Sequence, residues 1–546
     1  MMRLRGRFAV MKTMGRRVIA VLIVSLWLLA ASAMAQGELR FCLHSEPKTF
    51  DPLKVEDDAS VAIRYLTGGV LVRMNRQTLA LEPELAQSWK VSKDSRGITF
   101  KLRSGVSFSD GTPFSAEDVA FTIRQLMDPA LHSPTGDAFR SGPGEVETKI
   151  ISPTQISITF PAPVAELDRQ FDQVAMLSAH SAKKEMAVLG PFMVSDYKPG
   201  ATVLLKRNPN YWKTDAQGHK LPYLDSIQLD IQRNRDLEML RFKRGEIDLI
   251  NSLDSDYFDK LVTTSPQLVH DAGTSLDSEQ MWFNEVAKAP LPEYKKNWFR
   301  SAKFRRAISQ AINRDDLSRV VFRGHAQAAV GPVSPANKFW FNSKLTAETY
   351  APDVALKALQ SDGFRMENGT LKDKDGNAVV FSIITNSGSK YRERMATMIQ
   401  EDLQKIGIHV NVVTLDFPSL IERMTQTFDY EAILLGLTNV GLDPNEQMNV
   451  WLSSSENHQW NPQEKSPETA WEAEIDRLMQ AQASSADAKK RKESFDRVQE
   501  IAVEQAPFIY LVNRNALSAV AARVRGSNPV ILVPQTYWNA ELLSVK

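Results

Sequence analysis

The chain has 546 residues and a formal net charge of +1 at neutral pH, with 43% hydrophobic and 24% charged residues. This is the composition of an ordinary globular protein, long enough for two or three domains of about 150 residues each. The first 35 residues contain six arginines and lysines and no acidic residue, so the remainder carries 60 basic against 65 acidic residues, a net charge of −5. That balance argues against nucleic acid and anionic membrane surfaces as partners.

The amino-terminal segment has the three parts of a secretory signal peptide. Basic residues come first, an apolar run follows at 18–30, and the small residues Ala33 and Ala35 precede Gln36. A membrane anchor is the alternative, but a spanning helix needs roughly 20 apolar residues and this run is shorter. We therefore predict a signal peptide over residues 1–35 that is cleaved before Gln36, and a mature protein in the periplasm.

Cys42 is the only cysteine of the chain, so an internal disulfide is impossible. Lipid attachment at a cysteine requires small and apolar residues just before it, whereas Leu39, Arg40 and Phe41 precede Cys42. We therefore predict that Cys42 is a small buried strand residue and that the protein is not lipid-anchored.

The familiar motifs of metal and cofactor chemistry are missing from the sequence. None of the eight histidines lies three or four residues from another, and there is no G-x-S-x-G elbow, P-loop or G-x-G-x-x-G fingerprint. A scattered catalytic triad would leave no such trace, so these absences lower the odds of an enzyme without excluding one. We predict no cofactor and no metal.

The first half of the chain alternates short strands with a few helices. In chain order, the predicted elements are a strand over 39–44, a helix from Ala59, β-structure over 88–115, a helix over 116–127, a strand pair over 145–160 and a hairpin across 198–200. Ser115 and Asp118 have the spacing of a capping box, which marks the start of the second of these helices.

From about residue 302 strands and helices alternate, a pattern that is typical of a parallel sheet. A strand over 379–385 is followed by Asn386 and then by a helix with an apolar stripe of Met395, Ile399 and Leu403. Ligands of such sheets bind at loops beyond the carboxyl ends of the strands. The loops at 386–389 and 438–441 are therefore candidate binding loops, although helix capping is the simpler explanation of the first.

Several segments together resemble the extracytoplasmic solute-binding proteins of the dipeptide and oligopeptide class, which feed ATP-driven importers. The most distinctive block is LEPELAQSWKVSKDSRGITFKLRSGVSFSDGTPFSAEDVAFTI, at 81–123. The other matching segments are SEPKTFDP, GPFMVSDYKPGATVLLKRNPNYW, MWFNEVAKAPLPEYKKNWFRSAKFRRAISQAINRDDL, the stretch 379–444, QAPFIYLVNR and YWN. Each motif is loose by itself, and their order along nearly the whole mature chain carries the resemblance.

The resemblance implies an α/β, two-lobed periplasmic binding protein fold of type II with an extra α+β domain beside the first lobe. The expected boundaries are 36–62, 186–280 and 513–546 for the first lobe, 63–185 for the extra domain and 281–512 for the second lobe. The chain would cross between the lobes near Phe283 and Asn284, and again between Tyr510 and Asn513. Two crossings suit hinge closure, in which a few residues absorb the change in dihedral angles.

The resemblance also implies a set of ligand-binding residues, each with a plainer alternative. The candidates are Glu56, Asp58, Phe283, Asn284, Asn386, Phe417, Leu437, Thr438, Asn439, Val440 and Tyr510. Glu56 and Asp58 lie in a loop that lines the cleft in peptide binders, or they form a solvated acidic surface. Phe417 matches an aromatic cleft position, or it belongs to the core. Asn284 matches a position beside the ligand, or it is a structural cap at the hinge.

One departure from the family pattern bears on the ligand. Peptide-binding members carry, in G-W-x-x-D-x-x-(D/E)-P, an aspartate that pairs with the free amino group of the peptide. In this chain Val440 stands in place of the aspartate and Leu437 in place of the tryptophan. An ammonium group left unpaired in a closed cleft is costly. Either Asn439 or Glu56 takes over this role, or the ligand is different, such as an oligosaccharide, an opine or a modified peptide.

The expected function is capture of a small-molecule or peptide ligand by a monomer that delivers it to the membrane permease of an ABC importer. A periplasmic hydrolase is the first alternative, and it needs an acid–base pair such as Glu56 with a carboxylate of the second lobe. A binding protein that serves as a sensor or chaperone is the second. The order of the motifs favours the importer.

Overall fold

The computed structural model of the protein describes residues 37–131, 133–137, 139, 144–182, 187–438 and 440–546. The predicted signal peptide and Asn439 lie outside the described residues. Among the described helices, none combines the length and the apolar character that a membrane span requires.

The strands of the described chain are short except for two near its middle and end. They are β1 Glu38–Leu43, β2 Val72–Met74, β3 Leu81–Pro83, β4 Ala86–Val91, β5 Gly97–Leu102, β6 Glu147–Ser152, β7 Gln155–Thr159, β8 Phe192–Lys198, β9 Thr202–Arg207, β10 Ser226–Ile231, β11 Leu249–Ile250, β12 Val269–Phe283, β13 Ala326–Ala328, β14 Arg365–Glu367, β15 Thr370–Lys372, β16 Val380–Asn386, β17 His409–Leu415, β18 Ala432–Leu437, β19 Phe508–Val520, β20 Val524–Arg525 and β21 Ser544–Val545.

The α-helices lie mostly in the second half of the chain. They are α1 Asp58–Thr67, α2 Ala116–Met127, α3 Pro134–Asp137, α4 Arg235–Lys243, α5 Ser255–Thr264, α6 Glu293–Arg300, α7 Ala302–Gln310, α8 Arg314–Asp316, α9 Pro352–Ser361, α10 Lys390–Gln404, α11 Phe417–Glu422, α12 Met448–Trp451, α13 Ala470–Ala483 and α14 Ala488–Gln505.

One sheet runs through both lobes, in the order β17-β16-β18-β12-β19-β11-β1-β10-β9-β8, with β13 paired to β19. The first lobe holds β11, β1, β10, β9 and β8, and the second holds β17, β16 and β18. The central strands β12 and β19 pair antiparallel with each other and join the two halves. This arrangement agrees with the predicted two-lobed α/β fold.

The pairing of the two central strands is irregular in the middle. Their register shifts between Asp271 and Thr274, between Thr274 and Ser278, and again between Glu279 and Gln280. Each shift leaves a residue outside the ladder and bends the strand locally. The side chain of Asn513 donates to the carbonyl of Asp277 at 3.0 Å within this stretch. The irregular stretch is therefore where a change of dihedral angles disturbs the fewest ladder bonds.

The first lobe has an apolar core on both faces of its half of the sheet. Ile63 and Leu66 of α1 are buried against β1, β9 and β10, so α1 packs as one unit across the predicted boundary at residue 62. Cys42 is buried on the other face, as predicted. Burial, with the nearby carboxylate of Glu238, raises the pKa of the Cys42 thiol to about 12. The thiol is consequently protonated and unreactive at neutral pH.

The extra domain is an antiparallel sheet, in the order β4-β5-β7-β6, covered by α2. The predicted capping box is confirmed at the start of α2. The Ser115 hydroxyl accepts from the amide of Glu117 at 3.2 Å, and the Asp118 carboxylate accepts from the amide of Ser115 at 2.8 Å. The hairpin predicted across 198–200 is confirmed as the β8–β9 pair.

The second lobe contains the predicted βα unit. β16 leads to α10, whose buried Met395, Ile399 and Leu403 cover the sheet, and β17 returns parallel to β16. The expectation of a purely parallel sheet is wrong, however. β18 is parallel to β16 but antiparallel to β12, because β12 enters from the first lobe in the opposite direction.

The capping box gives a test of the extra domain. The Ser115→Ala variant should lower the free energy of unfolding by about 1 kcal/mol, because an amide at the helix start loses its acceptor. Urea denaturation of the mature protein measures this change. Ser361→Ala, at an exposed position in the last turn of α9, is the control. Equal stability of the two variants would contradict the assigned cap.

Candidate functional site

A cavity of about 870 Å³ lies between the two lobes and the extra domain. It is within the size range of small-molecule sites, roughly 300–1,000 Å³, near the upper end. Contacts between the walls close it at several points. Lys390 of the second lobe pairs with Asp236 of the first at 2.8 Å, and Gln173 of the extra domain donates to Glu446 at 3.3 Å. The lobes are therefore in contact at the edges of the cleft.

Five of the predicted site residues line this cleft: Asp58, Asn386, Phe417, Thr438 and Val440. Asp58 begins α1, whereas Asn386 and Thr438 lie at the carboxyl ends of β16 and β18. The loops beyond these strand ends thus contribute to the cleft, as the βα pattern suggested. Phe417 at the start of α11 is 54% exposed, which is unusual for a phenylalanine and leaves its ring available to a ligand.

The simpler explanation of the 386–389 loop, helix capping by its serine, does not hold for the described contacts. Ser389 occupies the N-cap position of α10, but its hydroxyl makes no capping hydrogen bond. The amide of Gly388 instead donates to the Glu393 carboxylate at 3.1 Å.

Three predicted residues are placed in the interior, away from the cleft lining. Phe283 is fully buried and stacks on Phe299 with ring centroids 4.8 Å apart. The amide of Asn284 donates to the carbonyls of Phe428 and Tyr430, at 2.8 Å each, so it holds a loop in place. Tyr510 is 5% exposed and packs beside the ring of Phe508.

Two further predicted residues are also outside the lining. Leu437 packs against the apolar core of the second lobe on the other side of β18 from Gly436. Glu56 is exposed in the loop before α1. The structure therefore brings together only part of the predicted set.

The segment from Gly436 to Pro444 depends on its two glycines. A Cβ atom on Gly436 would lie 2.8 Å from both Arg392 Nη2 and Glu279 Oε1. A Cβ atom on Gly441 would lie 1.8 Å from the carboxylate of Glu446. Charged side chains therefore pass directly over both positions, and only glycine leaves room for them. This packing explains why positions 436 and 441 are both glycine.

Val440 lies in a small apolar cluster at the cleft. Met74, Leu276 and Leu532 are its buried members, and Val440 and Leu442 pack against them. These residues come from the extra domain, β12, the carboxyl-terminal segment and the second lobe. The side chain of Val440 offers a ligand only carbon, but the carboxylate of Glu446, which packs against the adjacent Gly441, also lines the cleft.

A group of arginines that sequence reasoning missed also lines the cleft. Arg64 belongs to α1, and Arg73 and Arg76 lie on and just after β2. The guanidinium groups of Arg73 and Arg76 lie over the ring of Tyr65, at 5.0 and 5.8 Å from its centroid. Arg73 pairs with Glu84 at 3.6 Å, and Arg76 pairs with Asp172 at 3.0 Å.

A second missed group joins the cleft to the central strands. Glu279 of β12 is completely buried and pairs with Arg392 of α10 at 2.8 Å and with Arg514 of β19 at 3.2 Å. Arg392 also donates to the side chain of Asn386 at 2.9 Å. Asn386 in the cleft is thus connected through one ion-pair network to both strands that cross between the lobes.

One buried cluster of the described residues has the composition of a metal site. Nε2 of His458 lies 3.5 Å from a carboxylate oxygen of Glu464 and 3.5 Å from one of Glu472. Burial lowers the pKa of His458, but the two carboxylates outweigh it, so that the pKa is raised overall. His458 is 1% exposed, while its neighbours Asn457 and Gln459 line the cleft. We assign this cluster to the support of the cleft wall.

Comparison with known proteins gives a consistent match. A family model described as bacterial extracellular solute-binding proteins, family 5, middle, matches residues 80–459. A probable ABC transporter-binding protein of Deinococcus radiodurans is 27% identical over 531 residues, covering 88% of this chain and 87% of that protein.

Solved structures share the fold. The oligopeptide-binding protein AppA of Bacillus subtilis, in complex with a nonapeptide, gives a TM-score of 0.77 at 22% identity and covers 94% of this chain and 99% of that one. AgaA from A. tumefaciens R10, in complex with agropinic acid, gives 0.74 at 19% identity and covers 93% and 99%. The predicted fold is confirmed, and the same fold holds chemically different ligands.

The close packing around Gly436 yields a second prediction. Gly436→Ala should lower the free energy of unfolding by about 1–3 kcal/mol, because the added methyl group displaces a buried ion pair. Gly97→Ala is the matched control, since the nearest atom to its Cβ would be Ser92 Oγ at 3.4 Å. Urea denaturation of both variants measures the difference. Equal losses would contradict the close approach at Gly436.

The pH dependence of stability provides a third prediction, based on Glu285. Burial raises the pKa of this carboxyl to about 7, although its partner Arg305 acts in the opposite direction. The folded protein therefore binds a proton that the unfolded chain releases near its ordinary pKa of about 4.3. This contribution to stability is complete below that pH and is lost as the pH rises through about 7.

We expect Glu285→Gln to flatten the fall in melting temperature between pH 5 and pH 8. Glu293→Gln, which alters a side chain that is 81% exposed, should leave the wild-type slope unchanged. Differential scanning fluorimetry across this range measures both. A Glu285→Gln variant with the wild-type slope would contradict the assignment.

Proposed function

Because the chain belongs to family 5 of the bacterial extracellular solute-binding proteins, we propose that it captures a small peptide-like solute and delivers it to the membrane permease of an ATP-driven importer. The observation that carries the proposal is the cleft between the lobes. Polar side chains reach it from both lobes, with Asp58 and Arg64 on one side and Asn386 and Thr438 on the other. A solute that contacts both walls stabilises the closed arrangement relative to the open one.

The central strands supply the hinge in this proposal. Opening requires the lobes to rotate about the irregular stretch between Asp271 and Ser278. The contact between Lys390 and Asp236 resists opening only weakly, because both side chains are more than half exposed and such pairs contribute at most about 1 kcal/mol. This pair by itself therefore adds little to the stability of the closed arrangement.

We propose export to the periplasm through the amino-terminal signal peptide, without a lipid anchor, and action as a monomer. We also propose binding without turnover. Glu56, the carboxylate considered above as one member of an acid–base pair, lies outside the cleft lining. In the second alternative, the protein serves as a sensor or a chaperone. It then binds a receptor or unfolded client proteins instead of the permease.

The first experiment is native mass spectrometry of the mature protein, beginning at Gln36, together with small-angle scattering before and after ligand removal. We expect a stoichiometric small molecule on the purified protein and a larger radius of gyration once it is removed. Identical dimensions in both states would contradict hinge closure. Conversion of the released molecule by the protein would favour the hydrolase, and capture of unfolded clients would favour the chaperone.

A further inference from the structure

Unlike Arg73 and Arg76, Arg64 forms no ion pair with a carboxylate within the described part of the chain. Within the described residues, the only hydrogen bond of its side chain runs to the Thr135 hydroxyl, at 3.3 Å. A guanidinium has five donors, so most of those on Arg64 remain available toward the cleft. A cation in this position is costly to bury unless an anion or several acceptors join it.

Asp172, the carboxylate that attracts Arg64, is already engaged. Asp172 pairs with Arg76 and also accepts from the amide of Met74 at 2.9 Å. Glu84, which is not among the residues that line the cleft, pairs with both Arg73 and Lys213. Burial, reinforced by the positive charge of Arg76, lowers the pKa of Arg64 to about 10 despite the attraction of Asp172, so it remains charged at neutral pH.

Another part of the cleft is apolar. Phe417, Ile421 and Met424 line it along α11 and the turn that follows. Val440 and Leu442, in the apolar cluster described above, extend this surface. An apolar group placed here loses contact with water, which contributes about 25 cal/mol for each Å² removed.

Given the solute-binding function proposed above, we propose that the solute is a carboxylic acid with an apolar body. Its carboxylate pairs with Arg64, whose planar donors match a carboxylate in a bidentate arrangement. Its apolar body lies against Phe417 and Val440.

The test compares three probes of nearly equal size by isothermal titration calorimetry on the unliganded mature protein. They are N-acetyl-trileucine, its carboxyl-terminal amide, and trileucine amide with a free amino group. We expect N-acetyl-trileucine to bind at least tenfold more tightly than either amide. In Arg64→Gln this preference should fall to within threefold, and in Arg64→Lys it should be partly retained.

Arg244→Gln is the control, because this arginine is 61% exposed and lies outside the cleft lining. It should keep the wild-type preference. Circular dichroism of each variant establishes that it is folded, and Arg64→Lys serves as the test if Arg64→Gln is not.

Tighter binding of trileucine amide would overturn the inference while leaving solute capture intact. A preference for the acid that survives in Arg64→Gln would overturn the role of Arg64. Failure of all three probes would overturn the proposed solute class. Solute capture itself is judged separately, by the co-purified molecule and the scattering measurement.

Discussion

The two antiparallel strands at the centre of the sheet, β12 and β19, are the elements on which both lobes depend. β12 carries β18 of the second lobe, and β19 carries β11 of the first. A regular ladder of backbone hydrogen bonds resists bending, so bending concentrates where the register slips, between Asp271 and Ser278. The place of this slip decides where the lobes separate and hence where the cleft opens.

The buried carboxylate of Glu279 adds an electrostatic constraint at the same place. Loss of one partner from a buried ion pair costs about 3–5 kcal/mol, so Arg392 and Arg514 must both remain close to it. This requirement explains the glycine at position 436 and fixes Arg392 beside Asn386. The cleft wall and the hinge are therefore built partly from the same residues, and a solute at Asn386 acts on a network that reaches the crossing strands.

Local sequence patterns predicted much of the fold because they act over a few residues: the start of α2, the β8–β9 hairpin and the unit of β16, α10 and β17. Phe283 and Tyr510 mark the limit, since the face that a strand residue presents depends on distant helices packed against it. Arg64 was missed for a related reason. It meets Arg76 and Asp172 only after α1 packs beside β2 and the turn Arg169–Asp172. No short sequence motif marks these contacts of Arg64. Val440 could be identified from the sequence because the other residues of the family motif from Gly436 to Pro444 surround it.

The single cysteine has a practical consequence. Cys42 borders the cleft but is 7% exposed, and its thiol is protonated at neutral pH. A cysteine introduced on the surface would therefore be the only thiol that reacts with a maleimide dye, with no native residue to remove. One fluorophore near the rim, for example at Asp236, would then report opening and closing of the cleft in real time. The protein is therefore a suitable scaffold for an optical biosensor.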